Sequence, residues 1–211
     1  MTELRETTIA GRDVSRETWH RLTVFEMLIR RWNRTINLVS RASLEDLWVR
    51  HIEDSAQAFD HCPPHARTWV DLGSGSGLPG IVVAILALER KPDLRVTLVE
   101  SDLRKATFLR QTVRELSLPT DVLSQRIESL PARRADVVSA RALAPLRALL
   151  GMADTHLDAG GTAIFLKGER FAEEIADARK DWTFDLEVHP SRLQPHAAIL
   201  IVRKIKRAQH P

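Results

Sequence analysis

A single cysteine, Cys62, is the whole thiol content of the 211 residues. That excludes an internal disulfide and any Cys-x-x-Cys metal site. No apolar run approaches the ~20 residues that a membrane-spanning helix needs. Met1 to Ser15 are polar and charged, without the apolar centre of a secretory signal. A cytoplasmic protein with no membrane partner is the expectation. No internal repeat or low-complexity stretch is visible. What is present is 44% hydrophobic and 28% charged, the composition of a globular chain with a proper core. The length suits one α/β domain with a modest extra segment. A net charge of +3 and an isoelectric point near 9.4 are consistent with an acidic partner such as RNA. An Arg-rich composition alone gives the same balance.

Ser15 is placed to cap a helix carrying Trp19, Leu22, Phe25, Leu28, Ile29, Trp32 and Ile36 at steps of three and four. Ser43 is read as the start of a second helix, with Leu44, Leu47, Trp48, Ile52, Ser55 and Phe59 inward and Pro63-Pro64 at its end. Residues 1–66 thus read as a helical cap, and residues 67–211 as the core of a single domain. In the core, strands alternate with helices. Strands are expected at Thr68–Leu72, Val96–Glu100, Asp121–Leu123, Asp136–Ser139 and Thr162–Leu166. Helices are expected at Leu78–Arg90, Leu103–Leu116 and Pro145–Leu157, with a turn at Gly160-Gly161. That rhythm predicts a mostly parallel sheet with helices on both faces. After a polar helix near Glu169–Asp181 come two strand-like runs, Thr183–His189 and Ala197–Arg203. Their link, Pro190–His196, is too short for a crossover helix, so they should pair antiparallel.

The richest motif is Asp71-Leu-Gly73-Ser-Gly75-Ser-Gly77-Leu78-Pro79-Gly80, where the first strand meets the first helix. Glycines there let the backbone turn sharply and approach a ligand, and Pro79 suits the first turn of a helix. Glu100 ends the next strand, where a carboxylate can accept bonds from two ribose hydroxyls. Gly75, Gly77 and Gly80 match the dinucleotide pattern Gly-x-Gly-x-x-Gly, which makes NAD and an oxidoreductase the rival reading. S-adenosylmethionine is favoured on two grounds. The Asp71 carboxylate repels a pyrophosphate but suits the cationic methionyl ammonium and sulfonium. An antiparallel strand pair closing a parallel sheet is also characteristic of class I methyltransferases.

The chemistry narrows by elimination. Ser139-Ala140-Arg141-Ala142-Leu143-Ala144-Pro145 lacks the Asn/Asp-Pro-Pro-aromatic loop of amine methylation. Cys62 lies upstream of the first strand and reads as a small buried or half-buried residue rather than the nucleophile of cytosine methylation. No Lys-Asp-Lys-Glu set for ribose methylation can be placed. Guanine N7 has a lone pair and no proton, so proximity and alignment suffice. No catalytic base, and no metal, is expected.

These residues resemble the ribosomal RNA small subunit methyltransferase G family, the bacterial 16S rRNA guanine-N7 methyltransferases. The likeness runs from about Trp32 to Arg203. It is carried by Trp32-Asn33 with Asn37-Leu38, Arg50-His51 with Asp54-Ser55, and the loop Asp71–Gly80. Further on come Glu100-Ser101, Arg104-Lys105, Phe108-Leu109-Arg110, Arg126 with Glu128, Arg141-Ala142 and Leu166-Lys167-Gly168. The resemblance implies a Rossmann-like class I fold that uses S-adenosylmethionine and acts on 16S rRNA or the small ribosomal subunit; a monomer is the expectation. It also implies donor contacts from Gly73, Leu78, Ile127, Glu128 and Arg141, beside Asp71, Gly75 and Glu100 from the arguments above. Arg50, His51, Arg104, Lys105, Arg110 and Lys167 become candidates for RNA contact. The family often has Arg before the His of the last strand, where this chain has Pro195-His196. That departure bears on RNA contact at this one position. A non-catalytic RNA-binding relative is a third reading, against which the intact loop speaks.

Overall fold

The computed structural model describes residues 7–208; Met1–Glu6 and Gln209–Pro211 lie outside them, and with them part of the N-terminal stretch read above. The chain opens with a two-rung antiparallel hairpin, β1 (Thr8–Ile9) and β2 (Arg12–Asp13). Ser15 then caps helix α1 (Arg16–Trp32), its hydroxyl accepting the Thr18 amide at 3.1 Å, a contact worth about 1 kcal/mol. Leu22, Phe25, Leu28 and Ile29 form its buried stripe. Ile36 is buried too, but it lies past the helix end. There the Asn33 carboxamide accepts the Leu38 and Val39 amides and turns the chain.

The second helix departs from expectation. Its cap is Ser40, which accepts the Ser43 amide, so Ser43 sits inside the first turn. The segment is also broken into α2 (Arg41–Glu45), a π-helical stretch at Trp48–Glu53, and α3 (Asp54–Phe59). A π stretch widens the turn by one residue. Apolar spacing alone could not register that insertion.

The core follows as β3 (Thr68–Leu72), α4 (Gly80–Arg90), β4 (Arg95–Val99), α5 (Leu103–Glu115), β5 (Thr120–Leu123), β6 (Ala135–Arg141) and α6 (Leu146–His156). It closes with β7 (Leu157–Lys167), α7 (Phe171–Ala178), β8 (Trp182–Pro190) and β9 (Ala198–Arg207). The seven strands stand in the order β5-β4-β3-β6-β7-β9-β8. Only β9 is reversed: it pairs antiparallel with β7 and with β8, while the other neighbours are parallel. Gly160-Gly161 is not a turn before β7 but a bulge within it. The β6–β7 register shifts there, and a Cβ on Gly161 would meet the Ala135 carbonyl at 2.9 Å.

Alternation along β3 sends Trp69 to one face of the sheet and Val70 to the other. Trp69 joins Phe25, Ile29, Ile85 and Phe108 in an apolar cluster that fuses the N-terminal helices with α4 and α5. On the other face Leu149 and Leu150 of α6 join Phe165 and Trp182 in a second apolar cluster. No helix among the described residues is long and apolar enough to cross a membrane.

Candidate active site

A cavity of about 480 Å³ lies at the carboxyl ends of β3, β4 and β6, the edge where open parallel sheets bind ligands. Its floor is the loop between β3 and α4. Gly73 and Gly75 both take left-handed φ values, +63° and +53°, which keeps side chains off the cavity floor. Gly75 donates its N–H to Glu100 Oε2 at 2.8 Å, and Asp102 donates to Oε1 at 2.7 Å. Glu100 is therefore fixed just past β4 with one lone pair still open on each oxygen, on the cavity wall. Ile127, Leu143 and Met152 supply apolar wall, and Gln125 and Glu128 a polar edge. The residues fit a purine ribonucleoside: an apolar slot for the base and a carboxylate for the diol.

Asp71 does not reach the cavity. It is fully buried; Oδ1 accepts from Ser139 Oγ at 2.6 Å and Oδ2 from the Gly80 N–H at 3.3 Å. Ser139 in turn accepts from Trp69 Nε1. Desolvation is the largest cause that pushes the Asp71 carboxyl up to about 6, against the hydrogen bonds that pull it down. Its carboxylate holds α4 and β6 to β3 beneath the loop.

Arg141, at the end of β6, ties the N-terminal helices to the sheet. Its guanidinium donates to the carbonyls of Arg50 and His51, to Ser55 Oγ and to His51 Nδ1, at 2.7–3.1 Å. Asp54 lies 3.6 Å away. Because Arg141 occupies Nδ1, the imidazole carries its proton on Nε2, a buried atom with no partner among the described residues. Desolvation first, then Arg141 and Arg50, pull the His51 pKa down to about 4. The ring is neutral at pH 7.

Beyond Arg141 lies a second recess of about 240 Å³, and Arg141 and Ala142 line both. Ala142 holds a left-handed φ of +51°, a conformation that costs a non-glycine residue of order 1–3 kcal/mol and clusters at functional sites. In this recess Lys167 Nζ pairs with Glu174 Oε2 at 2.6 Å and donates to the Ala144 carbonyl. Lys167 is buried and does not stand on the open surface. Among the described residues no cluster of His, Cys, Asp and Glu could hold a metal.

Residues 19–198 match the model of the GidB family, described as rRNA small subunit methyltransferase G. The chain belongs to that family. The ribosomal RNA small subunit methyltransferase G of a Ruegeria species is 53% identical over 92% of this chain and 95% of its own. That of Cereibacter sphaeroides is 49% identical over 98% and 99%. Among solved structures, the ribosomal protein L11 methylase of Lactobacillus delbrueckii superposes with a TM-score of 0.57 at 18% identity, over 76% of this chain and 79% of that one. A SAM dependent methyltransferase of Aquifex aeolicus gives 0.58 at 11%, over 78% and 98%. These distant likenesses speak to the fold alone. The chain is a class I methyltransferase in fold and an S-adenosylmethionine-dependent enzyme by family, which removes the nicotinamide reading.

Family membership leaves the individual contacts to geometry. Gly73, Gly75, Leu78, Glu100, Ile127, Glu128 and Arg141 all line the large cavity, as do His51 and Lys105. Arg104 and Arg110 are exposed on α5, and Arg50 is exposed beside the Pro195-His196 turn. Leu38, Val39, Ser40 and Ser43 stand on the cavity wall; Leu38 belongs to a motif shared with the family and Ser43 to a helix start, but neither reading places them at the site. Their place depends on the Asn33 turn, whose only sequence trace is an Asn just past the helix.

Proposed function

We propose that the chain methylates N7 of a guanine in 16S ribosomal RNA, in the cytoplasm, as a monomer. Family membership over most of the chain carries the reading. Gly73, Gly75 and Leu78 cradle the methionyl part of the donor, Glu100 accepts the ribose hydroxyls, and Ile127 and Glu128 flank the adenine. Asp71 acts from beneath by holding the loop in shape. When bound, S-adenosylmethionine supplies an electrophilic methyl carbon: the C–S pair stays on sulfur, the N7 lone pair forms the new bond, and no proton moves.

The protein's work is then alignment and exclusion of water. Arg141 sits at the mouth between donor and acceptor. His51, neutral and with Nδ1 taken by Arg141, presents a donor N–H rather than a base. Arg50, Arg104, Lys105 and Arg110 supply positive charge for phosphates, and Lys167 acts deeper in the site.

The test is single-turnover methyl transfer to small ribosomal subunits lacking the modification. The product should be 7-methylguanine at one position, located by reduction and aniline cleavage. The rate should show no acidic limb from a titrating base between about pH 6 and 8.5. A methyl group on another atom, or an acidic limb that disappears in His51→Gln, would refute the reaction.

A further inference from the structure

We propose that the second recess is the seat of the acceptor base, and that Lys167 and Glu174 together select guanine there. This rests on the reaction proposed above. The recess, at about 240 Å³, falls below the ~300 Å³ at which sites for drug-sized ligands begin; its occupant is a fragment the size of one base. Leu166 and Ile199, cross-strand partners on β7 and β9, give it an apolar floor for one face of a flat ring, and Asp54, Lys167 and Glu174 are among its other lining residues. Enzymes that act on a base take it out of its stack and read its Watson–Crick edge in such a slot.

Asp54 also lines the recess, but it is buried and its charge is set against Arg141. Oδ1 accepts from Gln57 and from Ser191, and Oδ2 faces Arg141. Glu174 is different. Its Oε2 accepts from Lys167 and from the Leu146 N–H that opens α6. Its Oε1 receives no hydrogen bond from the described residues. Lys167, with three protons and partners in Glu174 and the Ala144 carbonyl, has one left. An open acceptor therefore lies beside an open donor. Guanine offers the complementary edge, the O6 acceptor next to the N1–H and N2–H donors. Adenine offers the reverse order, an N6 donor next to an N1 acceptor, and leaves both protein groups unmatched. A base seated here meets the donor cavity at Arg141 and Ala142, the two residues common to both recesses.

The experiment uses small subunits reconstituted with 16S rRNA whose methylated guanine is kept or is replaced, by splinted ligation, with inosine or adenosine. Inosine keeps N7, O6 and N1–H and lacks only the 2-amino group. For the wild type, kcat/KM should fall at least tenfold from guanine to inosine, and adenosine should not react. Glu174→Gln should lower kcat/KM for guanine at least tenfold and bring guanine and inosine within twofold of each other. Its affinity for S-adenosylhomocysteine, by calorimetry, should stay within twofold. Equal wild-type rates on guanine and inosine, or a guanine preference that survives in Glu174→Gln, would overturn the assignment of this recess. Absence of 7-methylguanine from wild-type reactions on the guanine subunit would overturn the reaction itself. If Glu174→Gln does not fold, Ala197→Trp fills the same recess from its rim. It should abolish binding of the flipped base and methylation while S-adenosylhomocysteine still binds; undiminished methylation would refute the proposal.

Discussion

Replacing Gly80 by alanine adds one carbon at the tightest point between α4 and the sheet. That carbon would clash with Leu98 Cδ2 and stand 2.7 Å from Asp71 Oδ2 and 2.9 Å from Asp71 Cβ. Leu98 and Asp71 are both fully buried. The leucine methyl can rotate away in part, but the Asp71 Cβ moves only with its strand. The start of α4 must lift off β3 and β4. Overpacking a closed core costs about 1–3 kcal/mol. The lift also stretches the Gly80 N–H bond to Asp71, already 3.3 Å, and bonds to charged groups contribute about 1.5–3 kcal/mol. The two losses share one displacement, so a total near 3 kcal/mol is expected rather than their full sum. At ~2–4 °C per kcal/mol for a chain of this size, Tm should drop by roughly 6–12 °C. Urea unfolding followed by circular dichroism gives the free energy, and calorimetry with S-adenosylhomocysteine gives the state of the loop. Affinity should fall at least tenfold, because the loop is anchored at Gly80. Stability within about 0.5 kcal/mol of wild type, with unchanged affinity, would refute this account of the close approach.

The buried Asp71 should write itself into the pH dependence of stability. Its pKa rises from 3.8 to about 6 on folding; the folded state thus holds the proton longer than the unfolded one, and stability from this group is lost as pH climbs from about 4 to 6. At 1.36 kcal/mol per unit the loss is roughly 3 kcal/mol. Asp71→Asn should therefore gain about that much relative to wild type between pH 4 and 7 in urea titrations, whatever its offset; parallel curves would show that the carboxyl does not titrate in this window. On α5, the triple replacement of Arg104, Lys105 and Arg110 by alanine should weaken subunit binding and flatten its salt dependence, by up to ~0.9 in log-log slope for each duplex phosphate no longer neutralised. An unaltered slope would make that face a solvated surface.

Sequence periodicity locates the elements whose residues answer to one neighbour at a time. Ser15 is followed by a regular apolar stripe, and β3 begins and ends where expected because a short buried run, Trp69 to Leu72, is bounded by exposed Thr68 and the left-handed Gly73. The hairpin at Thr8–Asp13 has strands of two residues, too short to show a period. The π stretch and the bulge at Gly161 depend on one added residue and on one distant carbonyl, neither of which spacing reports. At the site, the glycine loop and Glu100 are legible because their chemistry is local. Asp71 is misplaced by sequence alone, since a carboxylate at a strand end can face either outward or under the next helix; only the positions of Ser139 and Gly80 decide. Lys167 reads in sequence as a candidate for RNA contact, and only folding brings Glu174 beside it.

Arg141 has a thermodynamic consequence as well as a structural one. One guanidinium forms part of the wall of both recesses and the rivet that holds the π-helical segment. Any ligand that changes its freedom in one recess changes the free energy of filling the other, and reciprocity requires the two effects to be equal. With donor and acceptor seated as proposed, the two are coupled through a side chain that is neither consumed, protonated nor displaced.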